Sequence, residues 1–129
     1  TFMALEFFES GKVLYSGAHQ DVLVVRSETG KVEKQESRGF WLGLEEDISP
    51  FLTDSEFHLK DNDFIFLYTD GVTEAEKNGQ LFGVENLCSV LENSSDRKPE
   101  EIRDSVLSAL QTYRQSDDVS FVIIKKNRR

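Results

Sequence analysis

Cysteine is almost absent from this chain: Cys88 stands alone among 129 residues, which excludes an internal disulfide framework and any zinc site built on several cysteines. It lies in an apolar run and reads as a small buried hydrophobe, which fits a reducing, cytoplasmic setting. Long hydrophobic runs are missing as well. No stretch approaches the roughly 18 uninterrupted apolar residues of a membrane span, and no signal-peptide pattern opens the chain. Positive charge is in deficit, with 15 Lys+Arg against 24 Asp+Glu and a formal net charge of −9, which opposes sequence-independent attraction to nucleic acid or anionic lipid. The basic run Lys125, Lys126, Asn127, Arg128 and Arg129 reads as a solvated tail after a strand. An initiator Met is also lacking. Because Phe2, Met3, Ala4 and Leu5 already have strand character, the chain reads as a piece cut from a longer protein.

What is present suits one folded unit: 38% apolar residues and ten Phe supply a hydrophobic core for a chain of this length. Phe2 to Glu9 and Val13 to Tyr15 are rich in strand formers around the turn Glu9-Ser10-Gly11-Lys12, and predict a hairpin. Asp21 to Arg26, the turn Ser27-Glu28-Thr29-Gly30 and Lys31 to Gln35 predict a second, so the opening third reads as an antiparallel meander. Gly39 to Pro50 reads as a packed loop anchored by Trp41. Glu56 to Leu59 is a short strand, and Phe64 to Tyr68 (FIFLY) is apolar at every position, as a strand buried on both faces would be. Val84, Leu87, Cys88 and Leu91 share one face of a helix. A second helix begins near Pro99, with Glu100 and Glu101 in its first turn and Ile102, Val106, Leu107, Leu110 and Tyr113 at helical spacing. Val119 to Ile124 closes the chain as another apolar strand.

The residues that carry chemistry flank two of these strands. Asp70 directly follows FIFLYT, and Asp117 and Asp118 directly precede the last strand. If the two strands are antiparallel neighbours, the carboxylates converge at one sheet edge. A cluster of like charges needs a cation, and oxygen ligands without His or Cys beside them favour Mg²⁺ or Mn²⁺. The bland reading is that Asp70-Gly71 is a turn dipeptide and that Asp117-Asp118 caps a loop. A phosphoacceptor receiver domain also sets an aspartate after an apolar strand, but its acidic pair lies near the N-terminus of an alternating α/β chain. That does not match the hairpins here. Cys88, on an apolar helix face, is a poor phosphatase nucleophile.

Leu67-Tyr68-Thr69-Asp70-Gly71-Val72-Thr73-Glu74-Ala75, then Asn78-Gly79-Gln80-Leu81-Phe82-Gly83, then Asp117-Asp118-Val119-Ser120, resembles the C-terminal half of a SpoIIE-type, PPM-family metal-dependent serine/threonine phosphatase. Tyr15-Ser16-Gly17-Ala18-His19-Gln20 stands where that family has an Asn-Ala-Gly-His segment, and Gly39 to Leu44 resembles its glycine-containing loop. The resemblance implies an α+β fold: an antiparallel β-sandwich flanked by helices, of which residues 1–129 are a partial domain. It implies a site for two Mn²⁺ or Mg²⁺ ions, with Asp70 and Asp117 as ligands, Asp118 beside them as a further candidate ligand, and Glu74 at the position of a third, weaker site. His19 stands as a candidate general acid, set against a structural hairpin histidine, and His58 inside a strand is read as structural. A metal-activated water, with no covalent phosphoenzyme, is the implied nucleophile.

The family's bridging aspartate belongs to an Asp-Gly-His-Gly-like segment that residues 1–129 do not contain. By resemblance, then, the parent protein is a phosphatase acting on a phosphorylated anti-sigma-factor antagonist, with an upstream sensor domain, while the isolated chain is inactive. An exposed strand edge and apolar surface would invite self-association as a homodimer. The alternative is a truncated or degenerate phosphatase fold kept for protein binding and signal transmission.

Overall fold

Alternation along the strands sorts the apolar side chains into two separate cores. In the computed structural model, which describes residues 2–18, 20–36 and 55–127, the chain runs β1 (Phe2–Phe7), β2 (Lys12–Ala18), β3 (Val22–Val25), β4 (Val32–Gln35), β5 (Ser55–His58) and β6 (Phe64–Tyr68). It continues through α1 (Asp70–Thr73), β7 (Glu76–Lys77), β8 (Gln80–Leu81), α2 (Gly83–Asn93), α3 (Pro99–Leu110) and β9 (Phe121–Lys125). One antiparallel sheet has the order β1-β2-β5 and a second the order β4-β3-β6-β9, with β7 and β8 forming a small ribbon. The predicted loop of Gly39 to Pro50 and Trp41 lies outside the described residues, as do His19, Arg128 and Arg129.

Val13, Tyr15, Phe57 and Leu59 from the first sheet meet Val22, Val24 and Ile65 from the second, so the two sheets form a sandwich. On the far side of the second sheet, Leu23, Val25, Phe64, Phe66 and Tyr68 pack against Leu87, Cys88 and Leu91 of α2 and Ile102, Val106 and Leu110 of α3. The second sheet is thus the middle layer. Its central strands, β3 and β6, bury successive residues on opposite faces, which is why VLVV and FIFLY carry no polar alternation. Among the described residues, no helix is long and apolar enough to cross a membrane.

Both predicted hairpins form, yet the opening third is not one meander. β1 pairs with β2 and β3 with β4, but the two hairpins lie in opposite sheets. The physical reason is that Val13 and Tyr15 on one hairpin, and Val22 and Val24 on the other, bury themselves by facing each other across the sandwich rather than lying side by side. Leu107 also departs from expectation. It is 46% exposed, because only the i, i+4, i+8 series Ile102, Val106 and Leu110 faces the sheet. β9 is an outer strand in its sheet, with Val122 54% exposed, and is not buried on both faces as FIFLY is. The β7–β8 ribbon was not anticipated, although Asn78-Gly79 is the dipeptide of a type I′ hairpin, and both residues take the positive φ it requires, 53° and 80°.

One buried charge ties the end of the sandwich remote from Asp70. Asp63 is 1% exposed, yet its carboxylate accepts from the Arg26 guanidinium at 2.9 Å, from Ser27 N–H at 2.8 Å and from Lys60 N–H at 2.9 Å. Burial by itself would lower the Arg26 pKa, but hydrogen bonds to Asp63 and Glu33 outweigh it and hold the guanidinium above its ordinary value. Replacing Asp63 by alanine leaves two backbone N–H groups and a half-buried cation short of a partner. The expected cost is about 3 kcal/mol, read as a fall of roughly 10 °C in the melting temperature of the intact domain. A shift under about 2 °C would show that the network is not what holds the turn.

Candidate metal site

The ends of β6 and β9 meet because the strands are antiparallel neighbours, with Tyr68 opposite Phe121. The ladder extends one step further: Thr69 N–H donates to the Ser120 carbonyl at 3.0 Å, and Ser120 N–H donates to the Thr69 hydroxyl at 3.3 Å. The single Thr69 hydroxyl proton has two carbonyls in reach, Ser120 at 3.3 Å and Asp118 at 3.5 Å. Strand end and loop are therefore cross-tied just before Asp70.

At Asp70 the backbone turns into the single-turn helix α1, closed by Glu74 N–H donating to the Asp70 carbonyl at 2.8 Å. Val72 and Ala75, both fully buried, anchor this turn in the helix-side core. Gly71 lies against the other strand's loop. A Cβ on Gly71 would fall 2.0 Å from the Asp118 carbonyl oxygen and 3.2 Å from that of Asp117. Its φ is not in the left-handed region, so the turn at Asp70-Gly71 does not itself require glycine. Glycine is needed because two backbones touch.

The contact sets the backbone at Asp70 beside that of Asp117 and Asp118, and all three residues are exposed. Glu74 caps α1 one turn beyond Asp70 and is exposed too. Asp117 Oδ1 accepts from Asp118 N–H at 2.8 Å, the local loop capping that the bland reading expected, and Oδ2 is the oxygen left for another partner. Among the described residues, no three His, Cys, Asp or Glu side chains gather closely enough to hold one ion. The donors are carboxylate oxygens alone, which suits Mg²⁺ or Mn²⁺ held by one or two carboxylates with water completing the shell. Asp70 and Asp117 thus fit part of a site.

Two groups at this edge escaped the sequence reading. Gln20, in the connection between β2 and β3, donates its side-chain amide to Asp70 Oδ1. Nothing local in the sequence pairs residue 20 with residue 70. Tyr68, beneath Asp70, is 3% exposed, and burial, reinforced by the charges of Asp21, Cys88 and Asp70, pushes its phenol up to about 12. It stays neutral. Cys88 is a free thiol in the helix-side core, and burial pushes its pKa up as well, away from the thiolate a nucleophile needs. His58 lies in β5, and its backbone carbonyl accepts from Arg26.

The profile of the Stage II sporulation protein E (SpoIIE) family matches residues 1–127. No curated protein matches the chain. Among solved structures, the RsbU and RsbW domains of Rv1364c from Mycobacterium tuberculosis superpose with a TM-score of 0.80 at 20% identity, over 98% of this chain and 36% of that one. The SiaA-PP2C domain of Pseudomonas aeruginosa gives 0.75 at 17% identity, over 91% and 47%. The phosphatase domain of the cell fate determinant SpoIIE from Bacillus subtilis (Mn presoaked) gives 0.69 at 16% identity, over 99% and 56%. At these identities the likeness is one of fold. The chain spans about half the length of these structures or less.

Proposed function

The chain belongs to the SpoIIE family, and from that premise we propose that it is the C-terminal portion of a metal-dependent phosphoserine/phosphothreonine protein phosphatase domain. The observation that carries the reading is the contact of Gly71 with the Asp118 carbonyl, which brings Asp70 and Asp117 to one edge from opposite strands. Asp70 and Asp117 would hold Mn²⁺ or Mg²⁺, Asp118 would stand beside them, and Glu74 would serve a third, weaker site. Bound divalent ions would supply an acidified water and neutralise charge on the phosphoryl oxygens.

The chain's own residues do the rest. Thr69 and Ser120 lock the two strand ends together, so that the carboxylates keep their spacing as charge accumulates nearby. Neutral Tyr68 adds no further negative charge under Asp70. His19 retains its reading as a candidate general acid.

The substrate class we infer is a phosphorylated protein, with an anti-sigma-factor antagonist as the specific proposal. Likeness in fold to the RsbU and RsbW domains of Rv1364c supports it, and our proposal includes a cytoplasmic setting and a sensor domain upstream. The missing third acidic donor among the described residues favours a second statement about residues 1–129 alone: by themselves they form a phosphatase-fold module without turnover, competent for protein contact. The test uses the intact protein containing this chain and a serine-phosphorylated protein. Phosphate release should need Mn²⁺, vanish with chelator and return on adding the metal, while residues 1–129 alone release none. Release that survives chelation would overturn the metal mechanism.

A further inference from the structure

We propose that Gln20 is a positioning residue for Asp70, holding one carboxylate oxygen so that the other faces an incoming divalent cation; this rests on the metal reading above. The Gln20 side-chain amide donates to Asp70 Oδ1, and Oδ2 accepts no hydrogen bond from any described residue. Gln20 lies between the last pair of β2, Ala18 opposite Phe2, and the first pair of β3, Val22 opposite Gln35. Its own side chain is half-buried.

The chemistry suits a ligand-orienting role. A neutral amide holds a carboxylate oxygen without cancelling the charge, whereas Lys or Arg at the same place would compete with the metal for Asp70. Groups that only orient a ligand typically matter by about 10–100-fold in metal affinity. The crossing also joins the two sheets. Gln20 therefore links the sandwich to an edge otherwise built from β6, β9 and their loops.

The experiment measures Mn²⁺ binding to the intact phosphatase domain by calorimetry, alongside turnover, for wild type, Gln20→Leu, Gln20→Met and Asp70→Asn. Both apolar variants should bind Mn²⁺ about 10-fold more weakly, keep their metal-free melting temperature, and recover kcat at saturating metal. In the Asp70→Asn background, Gln20→Leu should change binding no further. Wild-type Mn²⁺ affinity in whichever apolar variant folds, with affinity lost in Asp70→Asn, would overturn the role of Gln20 and leave the metal reading standing. An equal loss from Gln20→Leu with and without the Asp70→Asn change would also overturn it. Undiminished binding in Asp70→Asn would instead bring down the metal reading itself, and this proposal with it.

Discussion

Asp70→Asn and Asp117→Asn, each made in the intact domain, are expected to lower Mn²⁺-dependent phosphate release by about 100-fold or more. The magnitude follows from an inequality. Loss of a residue that merely orients a ligand costs about 10–100-fold, so loss of the ligand charge itself should lie at or beyond the upper end. Asparagine keeps the shape of the side chain, so the fold should be undisturbed. Both positions are exposed, and the metal-free variants should sit within about 0.5 kcal/mol of wild type.

Added Mn²⁺ should separate the variants from wild type. An ion that binds only the folded state stabilises it by about 2.7 kcal/mol at 100 times its dissociation constant, and the variants should lose most of that gain. The paired readout matters. Lost turnover with a normal metal-induced melting shift would mean that Asp70 acts on the substrate rather than on the ion. Wild-type behaviour in both readouts for both variants would end the phosphatase reading of this edge.

Gly71→Ala is expected to disable the same edge without touching a carboxylate. The added Cβ would lie 2.0 Å from the Asp118 carbonyl oxygen, whereas carbon–oxygen contacts of about 3.3 Å are normal, so one backbone must retreat by roughly 1 Å. Nothing flexible can absorb this, since Val72 pins α1 in the core and Thr69 ties the strand end to Ser120. Overpacking should cost about 1–3 kcal/mol. The larger effect is functional: a displacement of about 1 Å between groups that must act together costs on the order of 100-fold in rate.

Gly79→Ala is the control. Its Cβ would meet nothing within 4 Å, but its φ of 80° would strain alanine, so about 1 kcal/mol should be lost with Mn²⁺-dependent turnover intact. Equal activity of the two alanine variants would show that the Asp118 contact does not set the spacing of the site.

These expectations divide according to what was readable beforehand. The middle-layer strands were legible because burial on two faces leaves a mark in every residue: FIFLY has no polar position to confuse it. The α2 face of Val84, Leu87, Cys88 and Leu91 was legible for the same kind of reason, since a one-sided helix must repeat its apolar residues every turn. The division of the hairpins between two sheets was not legible. Alternation tells which face of a strand is apolar, not which other strand will cover it. Leu107 misled because it is apolar, and periodicity admits a wider stripe than the sheet can cover.

For the site, the sequence by itself determined the chemistry on offer: Asp70 after one apolar strand, Asp117 and Asp118 before another, and a single unreactive cysteine. Local composition and the order of the blocks sufficed for that, and for the family resemblance. Only the tertiary structure decided that β6 and β9 are partners, that Gly71 is there for a backbone contact rather than a bend, and that Gln20 reaches Asp70 across 50 positions of sequence. Each of those facts is a long-range contact. Its energy comes from burying or bonding two segments against each other, so neither segment alone carries the information.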